Sequence, residues 1–199
     1  MVASENKVTF GLKNTHYAVI TDDGSKLTYG TPAALPGATE LTLDASGDAV
    51  EFSADDTKYY SADNNQGYTG KLTIAKLTEA FEKEVLGIDD SKGVSTENAN
   101  AKMKRIALMF EFDGDQKAVR HLLFNVSLSR PGDGSKTKED KVDVNTQELE
   151  FTAAPDPYSG DVKTKTNSTT TEEVYNAWYD AVFAGVTPEE GGTGDTSGQ

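Results

Sequence analysis

Acids, amides and tyrosines crowd into one stretch of the chain, ADDTKYYSADNNQGY, from Ala54 to Tyr68. Oxygen ligands at that density raise calcium first, because hard cations take carboxylates and carbonyls at fixed positions of a short loop. The spacing fails that test. Counted from Asp63, Gly67 stands fifth where an oxygen belongs, Tyr68 sixth where a glycine makes the turn, and Ile74 twelfth where a bidentate Glu closes the shell. The acids therefore read as a solvated loop, and no metal ligands are assigned.

The other routes to chemistry are equally thin. No G-x-S-x-G elbow is present, and only His16 and His121 could act as a general base. His121 lies on a strand between Val119 and Leu123, off the expected core parity, which suits a structural or solvent-facing ring. H-E-x-x-H is absent, and Gly70-Lys71 lacks both the upstream glycine and the following Ser/Thr of a phosphate loop. The acidic pairs Asp22/Asp23, Asp55/Asp56 and Asp89/Asp90 all fall at turns rather than across a cleft. The expectation is a protein that is not an enzyme, with no catalytic residues and no cofactor.

Interface chemistry remains. Tyr59, Tyr60 and Tyr68 share one polar segment, and tyrosine is enriched where surfaces meet because its ring is apolar while its hydroxyl stays wet. Composition alone leaves two readings open for these rings: contact with another protein, or folding back onto their own domain.

The elements that would carry such a segment are mostly strands. KVTFGLK, THYAVITD, TELTLD, AVEFSA, YTGKLTI, KRIALMFEFD, KAVRHLLFNVSLS and QELEFTA are each short, rich in β-branched or aromatic residues, and bounded by Gly, Asp, Asn or Pro. In the best hairpin, Ile106, Leu108, Phe110 and Phe112 share a face, and Leu122, Phe124, Val126 and Leu128 answer with the same period of two. A second hairpin turn is ASGD, Ala45 to Asp48. A helix is predicted over Thr78 to Leu86, with Thr78 as cap, Phe81 and Val85 on one face, and Gly87 as stop. Another is predicted over Thr171 to Ala184, opened by a Thr170-x-x-Glu173 capping box, striped by Val174, Trp178 and Ala181, and stopped by Gly185. A long loop, SRPGDGSKTKEDKVDVN, precedes the last strand.

At 199 residues the chain suits one domain, taken as 1–187, with a flexible tail at 188–199. Thirty-three acidic against 19 basic residues give a net charge of -14, which repels nucleic acid phosphates and anionic membranes at long range. The absence of cysteine removes disulfides, thiolate metal sites and thiol nucleophiles. The N-terminus lacks the pattern of a signal peptide, and the longest apolar run, IALMF, is too short to span a bilayer. The sequons at Asn125 and Asn167 are then read as chance matches.

In order, KVTFGLKNTHYAVIT, KLTYGTPAALPGATELTLD, ADDTKYYSADNNQGYTGKLTIA, ENANAKMKRIALMFEFDGDQKAVRHLLFNVSLSRP, TQELEFTAAP and TTTEEVYNAWYDAVF resemble the major tail tube proteins of long, non-contractile (siphovirus-type) tails of phages of Gram-positive bacteria, from about Lys7 to Phe183. The resemblance implies a mainly β fold, a tail-tube-type β-sandwich or barrel with a short flanking helix and a C-terminal helix. It also implies a structural virion protein that self-assembles into stacked, hexameric rings forming the tube through which DNA is delivered. It implies partners as well: other copies of the chain, the tape measure protein, the tail terminator and the distal tail protein. DNA would pass without specific binding, no membrane would be involved, and the protein would be made in the bacterial host cytoplasm. An N-terminal arm, 1–9, with Asn6 and Lys7, and a long loop, roughly Ser53 to Gly67, would reach the neighbouring ring. The expected contacts in that loop are Asp55, Asp56, Lys58, Tyr59, Tyr60, Asp63, Asn64 and Asn65, with Tyr68 just beyond it. The 129–145 loop is the alternative bridge. Some relatives carry a further immunoglobulin-like domain; none follows here, so a decorated tail surface is not expected. The rival reading is a secreted or surface β-sandwich adhesin, against which the missing signal peptide counts.

Overall fold

The structure, a computed structural model, describes residues 5–48, 50–54, 57–62, 64–135 and 145–184. The tail at 188–199, residues 136–144 of the long loop, and Asp55, Asp56 and Asp63 lie outside the described residues. The fold is mainly β, as expected, with two short helical segments. Its strands are β1 Thr9–Asp22, β2 Leu27–Tyr29, β3 Ala33–Ala34, β4 Ala38–Ser46, β5 Val50–Ala54, β6 Thr57–Ala62, β7 Gly67–Ile74, β8 Asp89–Ser91, β9 Val94–Thr96, β10 Ile106–Gly114, β11 Val119–Leu128, β12 Gln147–Ala154 and β13 Lys163–Lys165. The helical segments are α1 Glu79–Phe81, running into a π turn over Glu82–Leu86, and α2 Glu172–Asn176, running into a 3-10 turn over Ala177–Tyr179. No helix among the described residues is long and apolar enough to cross a membrane.

Nine strands form one antiparallel sheet in the order β2-β1-β10-β11-β12-β7-β4, with β13 pairing β11 and β3 pairing β1. The sheet curls until β1 and β4 approach within 8 Å between Cα atoms without sharing a ladder. Tyr17, Leu72, Ile74, Leu108, Phe110, Leu149 and Phe151 fill its concave side. The α1 segment closes one end of that core. Thr78 Oγ1 accepts from the Phe81 N–H at 3.2 Å, Phe81 and Val85 are buried, and Gly87, in the left-handed region at φ 73°, ends the run.

Four expectations need correction. ASGD, Ala45 to Asp48, does not close a hairpin, since β4 pairs β7 and β5 pairs β6. KVTFGLK and THYAVITD are one strand, β1, because Gly11 (φ 65°) and Asn14 (φ 50°) make bulges that bend it rather than break it. The stripe Leu122, Phe124, Val126, Leu128 does not share a face. The pairs Ile106↔Val126 and Leu108↔Leu123 enclose an extra β11 residue, and that bulge flips the parity. Leu123, Val126 and Leu128 therefore join the concave core, while Leu122 and Phe124 pack with Ala18, Ala107, Met109 and Trp178 on the convex side. The C-terminal helix is shorter than predicted and is capped by Thr171, whose Oγ1 accepts from the Val174 N–H. Thr170 instead bonds back to Asn167, so the capping box does not form.

Candidate assembly surfaces

The sheet leaves several edges open among the described residues, that of β2 at one end of the strand order included, and two of them lie close together. The outer edge of β4, Ala38–Ser46, has no strand beside it, and neither does β1 from Thr9 to Asn14 on the side away from β10. Thr15 ends that second opening, since its carbonyl accepts from the Leu35 N–H at 2.8 Å. Between the two edges lies a slot bordered by Phe10, Thr39, Leu41 and Phe112, and Phe10 is 57% exposed. Alternation explains the edge chemistry of β4, where Leu41 and Leu43 turn to the core while Glu40, Thr42 and Asp44 face water.

The segment between β4 and β7 is a strand hairpin: β5 falls on the expected strand AVEFSA, and β6 lies where Ser53 to Gly67 was expected to be a loop. β5 and β6 pair as Val50↔Ala62, Glu51↔Ser61, Phe52↔Tyr60, Ser53↔Lys58 and Ala54↔Thr57, with a bulge after Phe52. Lys58, Tyr59 and Tyr60 are thus residues of β6. At the root of the hairpin the Gln66 N–H donates to the Ser46 carbonyl at 2.9 Å, and Asn65 Oδ1 accepts from the Gly67 N–H at 3.0 Å. Gly47 is required there, because a Cβ would sit 1.7 Å from the Asn64 carbonyl oxygen. Asn64 and Asn65 are exposed. Tyr68 is half-buried against the concave core, with Lys163 Nζ 4.2 Å from its ring centre.

The N-terminal segment is tied to its own chain at Asn6 and Lys7. Asn6 Nδ2 donates to the Lys117 carbonyl at 2.6 Å, and Asn6 Oδ1 accepts from the Gln116 and Lys117 N–H groups at 2.9 and 3.0 Å. The Lys7 N–H donates to Asp115 Oδ1 at 2.8 Å. Both residues clasp the turn between β10 and β11, while Val8, immediately after, is 58% exposed.

On the convex side, a buried ion pair holds the C-terminal segment. Arg120 Nε lies 2.9 Å from Glu111 Oε2, with side-chain exposures of 16% and 8%. The same guanidinium donates to the Tyr175 carbonyl and lies 3.9 Å from the Tyr175 ring centre. Tyr179 covers it from the other side, and burial raises the Tyr179 hydroxyl well above the ordinary range.

His16, His121, Asp22 and Asp23 each make contacts within the fold. His121 stacks on Phe110 at 5.0 Å with planes 5° apart; burial first, then the charges of Lys163 and Lys165, push its pKa down to about 4. His16 stacks on Tyr179, and its Nδ1 lies 2.8 Å from the Asn14 carbonyl oxygen. Asp22 accepts from the Tyr158 hydroxyl at 2.7 Å and pairs with Arg105 at 2.8 Å, which holds its carboxyl below the usual range, the Tyr158 bond contributing most. Asp23 is likewise lowered, chiefly by the Ser25 hydroxyl, as it caps its own turn. Among the described residues no group of three or more His, Asp or Glu side chains converges as a metal site would require.

Asp89 and Asp90, expected at a turn, lie on β8; the β8–β9 hairpin was passed over because Asp89-Asp90-Ser91 has little strand propensity, and its one signal was the turn dipeptide Lys92-Gly93. Also missed was β13, a three-residue strand below the length that a periodicity can reveal.

No family model matches the chain, and no curated protein matches it. Among solved structures it is similar to the tube-terminating cap of the anti-feeding prophage, at 13% identity over 82% of this chain and 96% of that one, with a TM-score of 0.47. It is similar to a chain of the sheath-tube complex of an extracellular contractile injection system in its extended state, at 14% identity over 81% and 93%, with a TM-score of 0.46. A chain of the anti-feeding prophage baseplate is similar at 8% identity over 84% and 99%, with a TM-score of 0.43.

Proposed function

We propose that this chain is the repeating subunit of a phage-type tail tube. Copies join through their sheet edges into closed hexameric rings, rings stack head to tail, and DNA passes through the lumen unbound. The observation that carries the reading is the pair of open edges on one curled sheet. The nine-residue β4 edge from Ala38 to Ser46, bulged only at its start and with Glu40 and Asp44 facing water, leaves its outer backbone groups available to a strand of another chain. The two edges differ in sequence, so joining them between copies is a heterologous contact, which closes into a ring when the rotation permits. The order of segments from Lys7 to Phe183 supports the same reading through its resemblance to tail tube proteins.

In this proposal the β5–β6 hairpin reaches the next ring through Asp55, Asp56, Lys58, Tyr59, Tyr60, Asp63, Asn64 and Asn65. Tape measure, tail terminator and distal tail proteins are its further partners, the virion is its destination, and synthesis takes place in the host cytoplasm. The charge of -14 keeps duplex DNA from sticking. Light scattering and negative-stain electron microscopy of the purified protein test it. Rings or tubes are expected to form with rising concentration, and a strict monomer at high concentration overturns it. Tyr59→Ala/Tyr60→Ala is expected to leave circular dichroism unchanged and to block stacking, since aromatic anchors carry much of an interface.

A further inference from the structure

The β8–β9 hairpin is built and held, yet its strands pack on nothing among the described residues. Its turn places Lys92 and Gly93 at φ 58° and 75°, the two consecutive left-handed residues that a tight hairpin needs. One stem is rooted by Ile88 against the core, and the other by Arg130, which pairs with Glu97 and donates to the Asn98 carbonyl. The backbone behind it is tied by the Lys104 N–H to the Val85 carbonyl at 2.9 Å. All six strand residues are nonetheless exposed, including Val94 at 63%. An isolated two-stranded hairpin has little stability of its own in water, so a rooted and bare one is a projecting contact element.

The hairpin follows the α1 segment at the end of the sheet where β10 begins. The opposite end lies about 30 Å away along the nine residues of β10. At that far end is a cleft lined by Asn6, Lys117, Ala118, Val119, Lys165 and Asn167, with Glu5 as its one carboxylate. Val8 and Phe10, both more than half exposed, stand beside it. The hairpin presents Asp89, Asp90 and Val94 beside the turn residue Lys92; the cleft presents Lys165, Lys117, which is paired with Glu172 at 3.0 Å, and an apolar rim.

We infer that the β8–β9 hairpin of one copy docks into the Lys117/Lys165 cleft of a second copy, forming a head-to-tail contact along the axis of the assembly. The charges are complementary, and the two surfaces occupy opposite ends of one subunit, so the contact repeats without closing on itself. It rests on the tube reading and names the surfaces that stack.

The test is a charge swap read by the critical concentration for tube formation, from light scattering and electron microscopy. Asp89→Lys/Asp90→Lys and, separately, Lys165→Glu are each expected to raise it at least tenfold with an unchanged melting temperature, since these side chains are exposed. Combining the three substitutions in one chain is expected to restore it to within about threefold of wild type. An equimolar mixture of the two parents is expected to assemble at a lower concentration than either parent alone, because each hairpin then meets the other parent's cleft with opposite charge, Lys on Glu one way and Asp on Lys the other. If wild type assembles and the variants assemble equally well, or the combined chain is no better than its parents, the docking is refuted and the tube reading stands. If wild type itself stays monomeric, both fall.

Discussion

Replacing Arg120 with Met strips the Glu111 carboxylate of its cation while keeping most of the side-chain volume. Glu111 is 6% exposed, and its remaining hydrogen bond is to Asn14 Nδ2 at 3.3 Å, which cannot balance a full charge. Removing one partner of such a pair costs about 3–5 kcal/mol, and the lost stacking on Tyr175 lies within that range. For a domain of this size the loss corresponds to a fall in melting temperature of roughly 6–20 °C. The C-terminal segment should loosen first, because Arg120 also donates to the Tyr175 carbonyl that leads into Trp178. Trp178 is the chain's sole tryptophan and is 3% exposed, so its emission should shift to the red before the main transition. Pairing Arg120→Met with Glu111→Gln removes the stranded charge and should recover about half of the lost stability. The reasoning fails if Arg120→Met melts within about 1 °C of wild type with unshifted emission, or if the double variant is less stable than the single.

Three further perturbations follow from the same structure. His121 has a folded pKa near 4 against an ordinary value of 6.5, so the unfolded chain takes up the proton first. Its contribution is intact above pH 6.5 and is lost as pH falls towards 4, by about 1–2 kcal/mol once solvent screening of the half-exposed ring is allowed for. Denaturant melts of wild type and His121→Phe at pH 7 and pH 4.5 should show the smaller acid loss in the variant, whereas parallel losses refute the assignment. Asn6→Ala gives up three hydrogen bonds to the β10–β11 turn and should cost about 1–2 kcal/mol. Limited proteolysis should then find the first residues newly susceptible. Gly114→Ala should act alike, because its Cβ would fall 2.1 Å from Asn6 Nδ2; unchanged protection in both variants would mean the clasp does not hold the arm.

Most of the sheet was legible because strands with one wet face alternate. The period of two located β4, β7 and β12, and capping chemistry located Thr78 and Gly87. Breaks were misread where a residue type has two uses: Gly11 and Asn14 looked like turn formers and serve as bulges inside β1. The candidate surfaces were half legible. Tyr59 and Tyr60 lie in the excursion between β4 and β7, and their polar surroundings could not tell a loop from a paired two-stranded hairpin. The anchoring of Asn6 was invisible because its partners lie 110 and 111 residues away.

One signal for the second packed layer was in the sequence all along. Ile106-Ala-Leu-Met-Phe110 is apolar without alternation, and a strand with no polar residue for five positions must be covered on both faces. The concave face of β10 is covered by the curl of its own sheet, so the convex face needs a separate lid. The amphipathic stripe of Val174 and Trp178 is an apolar helical face of matching size left over at the other end of the chain, and it packs over Ala107 and Met109. That docking spans the chain from Ala107 to Trp178, and Arg120 and Glu111 fix its register with a charged pair where apolar packing alone would slide. Among the described residues the convex face of the central strands is thereby covered by the chain's own C-terminal segment, which leaves the sheet's edges and its two ends for the contacts proposed above.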